Sequence, residues 1–328
     1  MGIRIKGTGR YLPERILTNA DLEKMVDTSD EWIVTRTGIK ERHIARADEF
    51  TSDMAAAAAK NALDFAGFEP DSLDLIIVAT VTPDMMFPNT ASIVQRKIGA
   101  KACVCFDMSA ACSGLLYGLN TAYGLLSSPL GYKRALVIGA EKLSSIVDWS
   151  DRSTCVLFGD AASAVVLEND GDPTVPDFYV DGFVSADGNF GDILQLPAGG
   201  SASPASHETV DNRLHYIKMG GPKTFQLAVQ SMTNSCKLLL DRTGIPAENI
   251  RWAIPHQANQ RIISAVAQRL TIPDRVYLNV DRYGNTSSAS IGLCLDELNR
   301  SGQLQKDDLI ITASFGAGLT WASLLIRW

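Results

Sequence analysis

Short apolar runs of strand length alternate along this chain with longer amphipathic stretches of helical period, a pattern that predicts an α/β fold. Buried strands are expected at 73–80 (LDLIIVAT), 102–108 (ACVCFDM), 134–139 (RALVIG) and 161–167 (AASAVVL). The alanine-rich stretch 52–66 predicts a helix, with Thr51 or Ser52 as its N-cap. The second half predicts a helix over 223–243 and strands at 250–255, 275–280, 308–313 and 320–327. Between the halves, 170–209 carries DGDPTVPD and PAGGSASPASHE, the composition of a linker and an exposed flap.

The order of elements repeats. One helix ends at Gly67 and Phe68 and a proline-containing turn leads to LDLIIVAT; another ends at Gly244 and Ile245, and Pro246 leads to IRWAIPH. Each strand precedes a helix carrying Gln-Arg (95–96 and 268–269) and then an expected strand holding Asp107 or Asp281. Cys112 lies five residues after Asp107 and Asn285 four after Asp281, at nearly equivalent strand-to-helix junctions. The pattern reads as an internal duplication, residues 1–172 and 173–328, whose pseudo-twofold axis gathers the two junctions into a central site.

Composition narrows the classes. Hydrophobic residues make up 46% and charged residues 20%, as in a globular protein, and the formal net charge is −7. That balance supplies no general basic field for nucleic acid. Neither a signal-peptide stretch nor a run of about 18 apolar residues appears, so the expectation is a cytoplasmic protein without a membrane span. Six cysteines stand in apolar segments without CxxC or Cys/His ligand spacing, which predicts reduced thiols and no metal site.

Candidate chemistry gathers at four motifs. Cys112, in SAACSGLLYGL, stands between a strand and an apolar helix, where a helix N-terminus lowers a thiol pKa. His256, in IPHQAN, follows a strand, and Asn285 lies in YGNTSSAS beside a turn-permitting Gly284. FGAGLTW at 315–321 is a Gly-rich turn between two strands whose N–H groups can face an oxyanion. Taken singly, each has a plain structural reading as well: an inert core thiol for Cys112, a structural histidine for His256, a cap or turn residue for Asn285 and a tight turn for FGAGLTW.

In this order, SAACSG, HQAN, GNTSSAS and FGAGLTW resemble the 3-oxoacyl-(acyl-carrier-protein) synthase III family of thiolase-like condensing enzymes. EWIVTRTGIKERH, TPDMMFPNTA and DRSTCVLFGDAASA extend the likeness over essentially the whole chain. The resemblance implies a thiolase-like fold and two half-reactions. Cys112 takes an acyl group from acyl-CoA, and His256 with Asn285 stabilises the enolate formed when a malonyl thioester on acyl carrier protein loses CO2. Oxyanion donors would be the N–H groups of Cys112 and Ala317, an alanine where the family often has glycine.

The same likeness assigns Trp32, Arg36 and Arg152 to the CoA nucleotide, and Phe225 and Asn259 to the pantetheine arm. Phe87 and Leu143 border the acyl pocket, Phe87 across a homodimer interface, and Gln257, Arg261 and Arg269 would meet the carrier protein. No cofactor is implied, since acyl-CoA is a substrate. A His/Asn pair sets this branch apart from elongating synthases, which use two histidines, and Ser314-Phe315 stands where thiolases need a second cysteine. Open alternatives are a same-fold ketosynthase of secondary metabolism, a cysteine-dependent thioester hydrolase and a non-catalytic acyl-binding protein.

Overall fold

A computed structural model describes residues 2–328. The first sheet comprises β1 (Ile3–Tyr11), β2 (Leu75–Ala79), β3 (Val104–Met108), β4 (Arg134–Glu141) and β5 (Ala161–Asn169), in the order β1-β5-β4-β2-β3. The second holds β6 (Tyr179–Ala186), β7 (Ile250–Pro255), β8 (Leu309–Gly316) and β9 (Thr320–Arg327), in the order β7-β8-β9-β6. Pairing senses match as well. β4–β2 and β8–β7 are parallel, whereas β1–β5, β5–β4, β6–β9 and β9–β8 are antiparallel. The second sheet therefore repeats the first without its β3.

That missing strand is the expected 275–280, which makes a single parallel bridge, Ala253 to Val276. Pro273 opens a 3-10 turn before it, and residues 280–283 form a short helix, so Asp281 is helical and not in a strand. Asn279 departs from the sheet because its N–H donates to Gln257 and its amide to Glu297. A second departure is β6, eight residues inside the expected linker. Asp181-Gly182 within it reads locally as a turn; the strand exists because β9 supplies its only neighbour.

Six main helices complete the layers: α1 (Thr51–Ala66), α2 (Thr90–Ile98), α3 (Gly114–Leu126), α4 (Gly221–Thr243), α5 (Gln260–Arg269) and α6 (Ser290–Arg300). α3 and α6 lie between the sheets, where Leu115, Leu119, Ile291 and Leu295 bury against Ile77, Val137, Ile310 and Leu324. α1 and α2 cover the outer face of the first sheet through Ile76, Val78 and Ile138, and α4 and α5 cover the second. Strands apolar on both faces are what a sheet between two helix layers requires. Alanine suits α1 because the helix lies on β1: a Cβ at Gly9 would sit 2.3 Å from the Ala58 carbonyl oxygen. Its N-cap is Phe50, one residue before those expected, and Asp53 accepts the Phe50 N–H.

Candidate active site

α3 and α6 are each entered through one turn of 3-10 helix, Ala111–Ser113 and Ser287–Ala289. Both turns open on a left-handed non-glycine residue, Ala111 at φ 46° and Ser287 at φ 48°. Such backbone is costly and persists only where the surroundings enforce it. The matched geometry aligns Ala111 with Ser287 and therefore Cys112 with Ser288. The junctions correspond as the sequence implies, yet Asn285 stands three residues ahead of Ser288, the position that matches Cys112.

Cys112 occupies the first turn leading into α3, where backbone N–H groups lack intrahelical acceptors. The β8–β9 turn clamps it: Thr320 Oγ1 donates to the Ala110 carbonyl at 2.9 Å, and Ser113 Oγ to the Thr320 carbonyl at 3.2 Å. Gly316 allows this approach, since a Cβ there would lie 2.7 Å from the Cys112 nitrogen. Ala317 follows and lines the same chamber as Cys112. Burial pushes the Cys112 thiol up to about 12, with the Glu141 charge adding to it and a Ser287 hydrogen bond opposing. Desolvation thus outweighs the helix end, and the resting group is a thiol, contrary to the lowered pKa expected from the sequence.

His256 directly follows β7, its N–H donating to the Ala313 carbonyl at 2.7 Å. Nδ1 lies 2.7 Å from Ser290 Oγ at the start of α6, and buried Nε2 has no protein partner. Burial lowers its pKa to about 3, so the ring is neutral. A Ser290 hydroxyl that donates to Nδ1 places the ring proton on Nε2, on a residue that lines the cavity. Asn285 is seated by backbone: its N–H donates to Leu157 at 2.8 Å and its carbonyl accepts from Gly159 at 3.1 Å. Gly284 at φ 64° makes that seat possible, because a Cβ would come 2.8 Å from the Leu157 oxygen. Asn285 Oδ1 accepts the Ser287 N–H at 2.9 Å, which leaves its NH2 as a donor.

Cys112, His256 and Asn285 line one cavity of about 600 Å³. It passes Phe225, Asn259 and Arg261 and reaches Trp32 and Arg36 at the surface. The Arg36 and Arg152 guanidinium carbons stand 4.4 and 5.0 Å from the Trp32 ring centre, on a tryptophan carried by the helix Asp30–Thr37. Asn259 is already engaged, donating to the Arg36 carbonyl at 3.0 Å and accepting the Arg261 N–H at 2.8 Å. On the far side of Cys112 a chamber of about 170 Å³ is walled by Val81, Leu143, Ile146, Leu196 and Ile217.

Three expected site residues lie elsewhere. Phe87 is 85% exposed and touches neither cavity of its own chain. Arg269, at the exposed end of α5, is outside the tunnel. Gln257 is a correction: it is 1% exposed, with its amide on the Pro255 and Tyr277 carbonyls and its oxygen on the Asn279 N–H, so it presents nothing to a carrier protein. Sequence reasoning passed over Ser290, Ser287 and the buried Glu141. The last left one signal, a carboxylate closing the apolar strand RALVIGAE.

Two family models match, 3-oxoacyl-[acyl-carrier-protein] synthase III over residues 106–181 and the C-terminal part of the same family over 240–328. A beta-ketoacyl-[acyl-carrier-protein] synthase III of Caldanaerobacter subterraneus is 54% identical over 327 residues, 99% of this chain and 97% of that one. The crystal structure of 3-oxoacyl-[acyl-carrier-protein] synthase III from Aquifex aeolicus superposes with a TM-score of 0.90 at 47% identity, over 100% of both chains. A priming beta-ketosynthase from the R1128 polyketide pathway superposes equally well, TM-score 0.90, at 32% identity over 99% of this chain and 96% of that one. With the duplicated fold and its shared cavity, these likenesses establish that the chain belongs to the 3-oxoacyl-[acyl-carrier-protein] synthase III family of thiolase-like condensing enzymes.

Proposed function

We propose that this chain starts fatty acid synthesis, taking an acyl primer from CoA onto Cys112 and condensing it with malonyl-acyl carrier protein. One observation carries the reading: a thiol from one repeat and an imidazole and carboxamide from the other face a single tunnel that ends in a stacked Trp/Arg platform. In the first half-reaction the Cys112 sulfur attacks the thioester carbon, CoA leaves through the tunnel, and the N–H groups of Cys112 and Ala317 hold the oxyanion. Trp32, Arg36 and Arg152 bind the nucleotide end, while Phe225 and the Asn259 region guide the pantetheine arm.

In the second half-reaction His256 Nε2–H and the Asn285 NH2 donate to the malonyl thioester oxygen as CO2 departs. Such preorganised donors contribute roughly 3–4 kcal/mol each. The resulting carbanion attacks the acyl-Cys112 carbonyl and releases 3-oxoacyl carrier protein. Side chains and thioesters supply all of this chemistry, and no resident cofactor enters it. The apolar chamber lined by Leu143 takes the primer chain.

Met86 and Phe87, 80% and 85% exposed, support a homodimer in which the partner's Phe87 closes that chamber. No described helix is long and apolar enough to cross a membrane, and we place the enzyme in the cytoplasm. Intact-mass measurement after exposure to acyl-CoAs tests the proposal: the acyl mass should appear on wild-type protein and vanish in Cys112→Ser. Malonyl-acyl carrier protein should then discharge it as a 3-oxoacyl product. Release of free acid instead would identify a hydrolase.

A further inference from the structure

The stretch EWIVTRTGIKERH places Trp32 and Arg36 on the tunnel, whereas its Arg42 lines neither cavity. Arg42 stands in the short strand Glu41–Ile44, which pairs with Arg15–Thr18, and it is 0% exposed. Its Nη1 donates to the Leu17 carbonyl at 3.2 Å and to Asn19 Oδ1 at 2.9 Å, and its Nη2 to the Val156 carbonyl at 2.8 Å. All three acceptors are neutral. Burying a cation against neutral oxygens is costly, and an apolar side chain in the same space would cost less. What the planar fork adds is a rigid link between segments remote in sequence. Buried Asn19 anchors one end, since its own amide donates to Asp30 Oδ1 and the Ile39 carbonyl, both at 2.8 Å. The other end reaches Val156, 114 residues away.

Val156 opens the segment that seats Asn285. Leu157 accepts the Asn285 N–H, the Gly159 N–H donates to the Asn285 carbonyl, and Phe158 forms an isolated parallel bridge with Asn285. The Arg42 stem packs on both glycines of this seat: a Cβ at Gly159 would come 3.0 Å from the Arg42 Cβ, and one at Gly284 3.4 Å. Neighbouring backbone joins the same parts, with the Lys40 N–H on the Asp281 carbonyl and the Asp160 N–H on the His43 carbonyl, both at 2.9 Å. We propose that Arg42 is a positioning residue for condensation: it fixes residues 156–159 and, through them, the direction of the Asn285 amide. This role presupposes that Asn285 donates to the malonyl thioester oxygen.

Asn285 depends on this brace more than the other two site residues do. Cys112 is held by the β8–β9 turn, and His256 by β8 and by Ser290. Asn285 belongs to no helix or named strand, and its side-chain oxygen is bound only within its own turn, by the Ser287 N–H. The direction of its NH2 therefore follows the backbone at 285, which residues 157 and 159 hold. Those residues lie between the four-residue helix Arg152–Cys155 and β5, in irregular backbone that Arg42 Nη2 ties to the 41–44 strand. A misplacement of about 1 Å at a reacting group costs about 10²-fold in rate, so a modest relaxation here is enough to be measured.

The test starts from full-length enzyme acetylated on Cys112, mixed with malonyl-acyl carrier protein and followed by rapid quench and intact mass. Arg42→Met keeps the stem and removes the fork; Arg42→Lys keeps the charge but cannot span three oxygens. At saturating malonyl-acyl carrier protein, Arg42→Met should discharge about 10²-fold more slowly and Arg42→Lys about 10-fold, with KM changed only a few-fold. In the Asn285→Ala background either substitution should add no more than about 3-fold, because the group it positions is gone. Amide hydrogen exchange reads the link itself: the Asn285 and Gly159 N–H groups should lose protection in Arg42→Met, while Val137 in β4 keeps its own. Undiminished discharge, a loss confined to KM, a full loss added on top of Asn285→Ala, or equal loss of protection at Val137 overturns the proposal. Should Arg42→Met fail to fold, Arg42→Lys gives the same readings. Wild-type discharge by Asn285→Ala alone would instead overturn the role assigned to Asn285.

Discussion

Burial, more than charge pairing, sets the chemistry of the site's side chains. His256 is neutral because no anion compensates its desolvation, and a neutral imidazole serves as a hydrogen-bond donor and not as an acid. Condensation from pre-acylated enzyme should therefore show no acid limb near pH 6.5, and a pH–rate series that revealed one would contradict the assignment. His256→Ala should slow that step by about 10²–10³ while loading changes only a few-fold. Glu141 gives the opposite linkage. Its folded pKa of about 7 lies above the ordinary 4.5, so between those values the fold holds a proton that the unfolded chain has lost. Its contribution to stability is fully present below pH 4.5 and is lost as pH rises through 7, on the order of 3 kcal/mol. Urea unfolding at pH 5 and pH 8 should show this loss as the difference between wild type and Glu141→Gln, because His256, neutral in the fold, adds stability of the opposite sign between pH 5 and 6.5 in both.

At the scale of elements, a few close backbone approaches hold the two repeats in register. The β8–β9 turn reaches Cys112 only because position 316 lacks a Cβ, and the Leu157–Gly159 segment reaches Asn285 only because position 284 does. Gly316→Ala places a methyl 2.7 Å from the Cys112 nitrogen and 3.1 Å from the Ala111 Cβ. Acyl loading should fall at least about 100-fold, with an overpacking cost of about 1–3 kcal/mol in unfolding free energy. Gly188→Ala, where an added Cβ meets nothing within 4 Å, is the matched control and should load normally. Ser290 works in the same register, tying α6 to His256 at 2.7 Å. Its loss should impair condensation more than loading, since loading does not use the imidazole.

For the whole molecule, the exposed face decides which partners are reached. Arg261 stands at the tunnel mouth, 5.5 Å from the Phe225 ring centre, so its removal touches both substrates and does not isolate carrier binding. Arg269 lies about 12 Å further along α5 and outside the tunnel. Arg269→Glu should raise the KM for malonyl-acyl carrier protein several-fold and leave acyl-CoA loading unchanged. The Met85–Phe87 loop leaves three large apolar side chains in water, the sort of patch that marks an interface. Phe87→Asp should weaken the proposed dimer in sedimentation velocity and with it the loading rate; an unchanged association state would remove Phe87 from that interface.

Local patterning settled whatever depends on period and short motifs. The strands at 75–79, 134–141 and 161–169, the alanine helix, the Gly-rich hairpin and the doubled order of elements were legible, because core-facing apolar periodicity and turn residues act over a few neighbours, whereas β1 was not read and β3, expected buried, is a part-exposed edge strand. Cys112, His256 and Asn285 were legible as motifs. Tertiary structure alone decided the rest, because those outcomes depend on groups remote in sequence. Strand β6 required β9 as its neighbour, and 275–280 left its sheet when Gln257 and Glu297 claimed Asn279. Gln257, beside His256 in sequence, turned inward for the same reason. The ionisation of Cys112 and Glu141 was likewise out of reach, since the desolvation that sets it comes from two packed repeats and not from flanking residues.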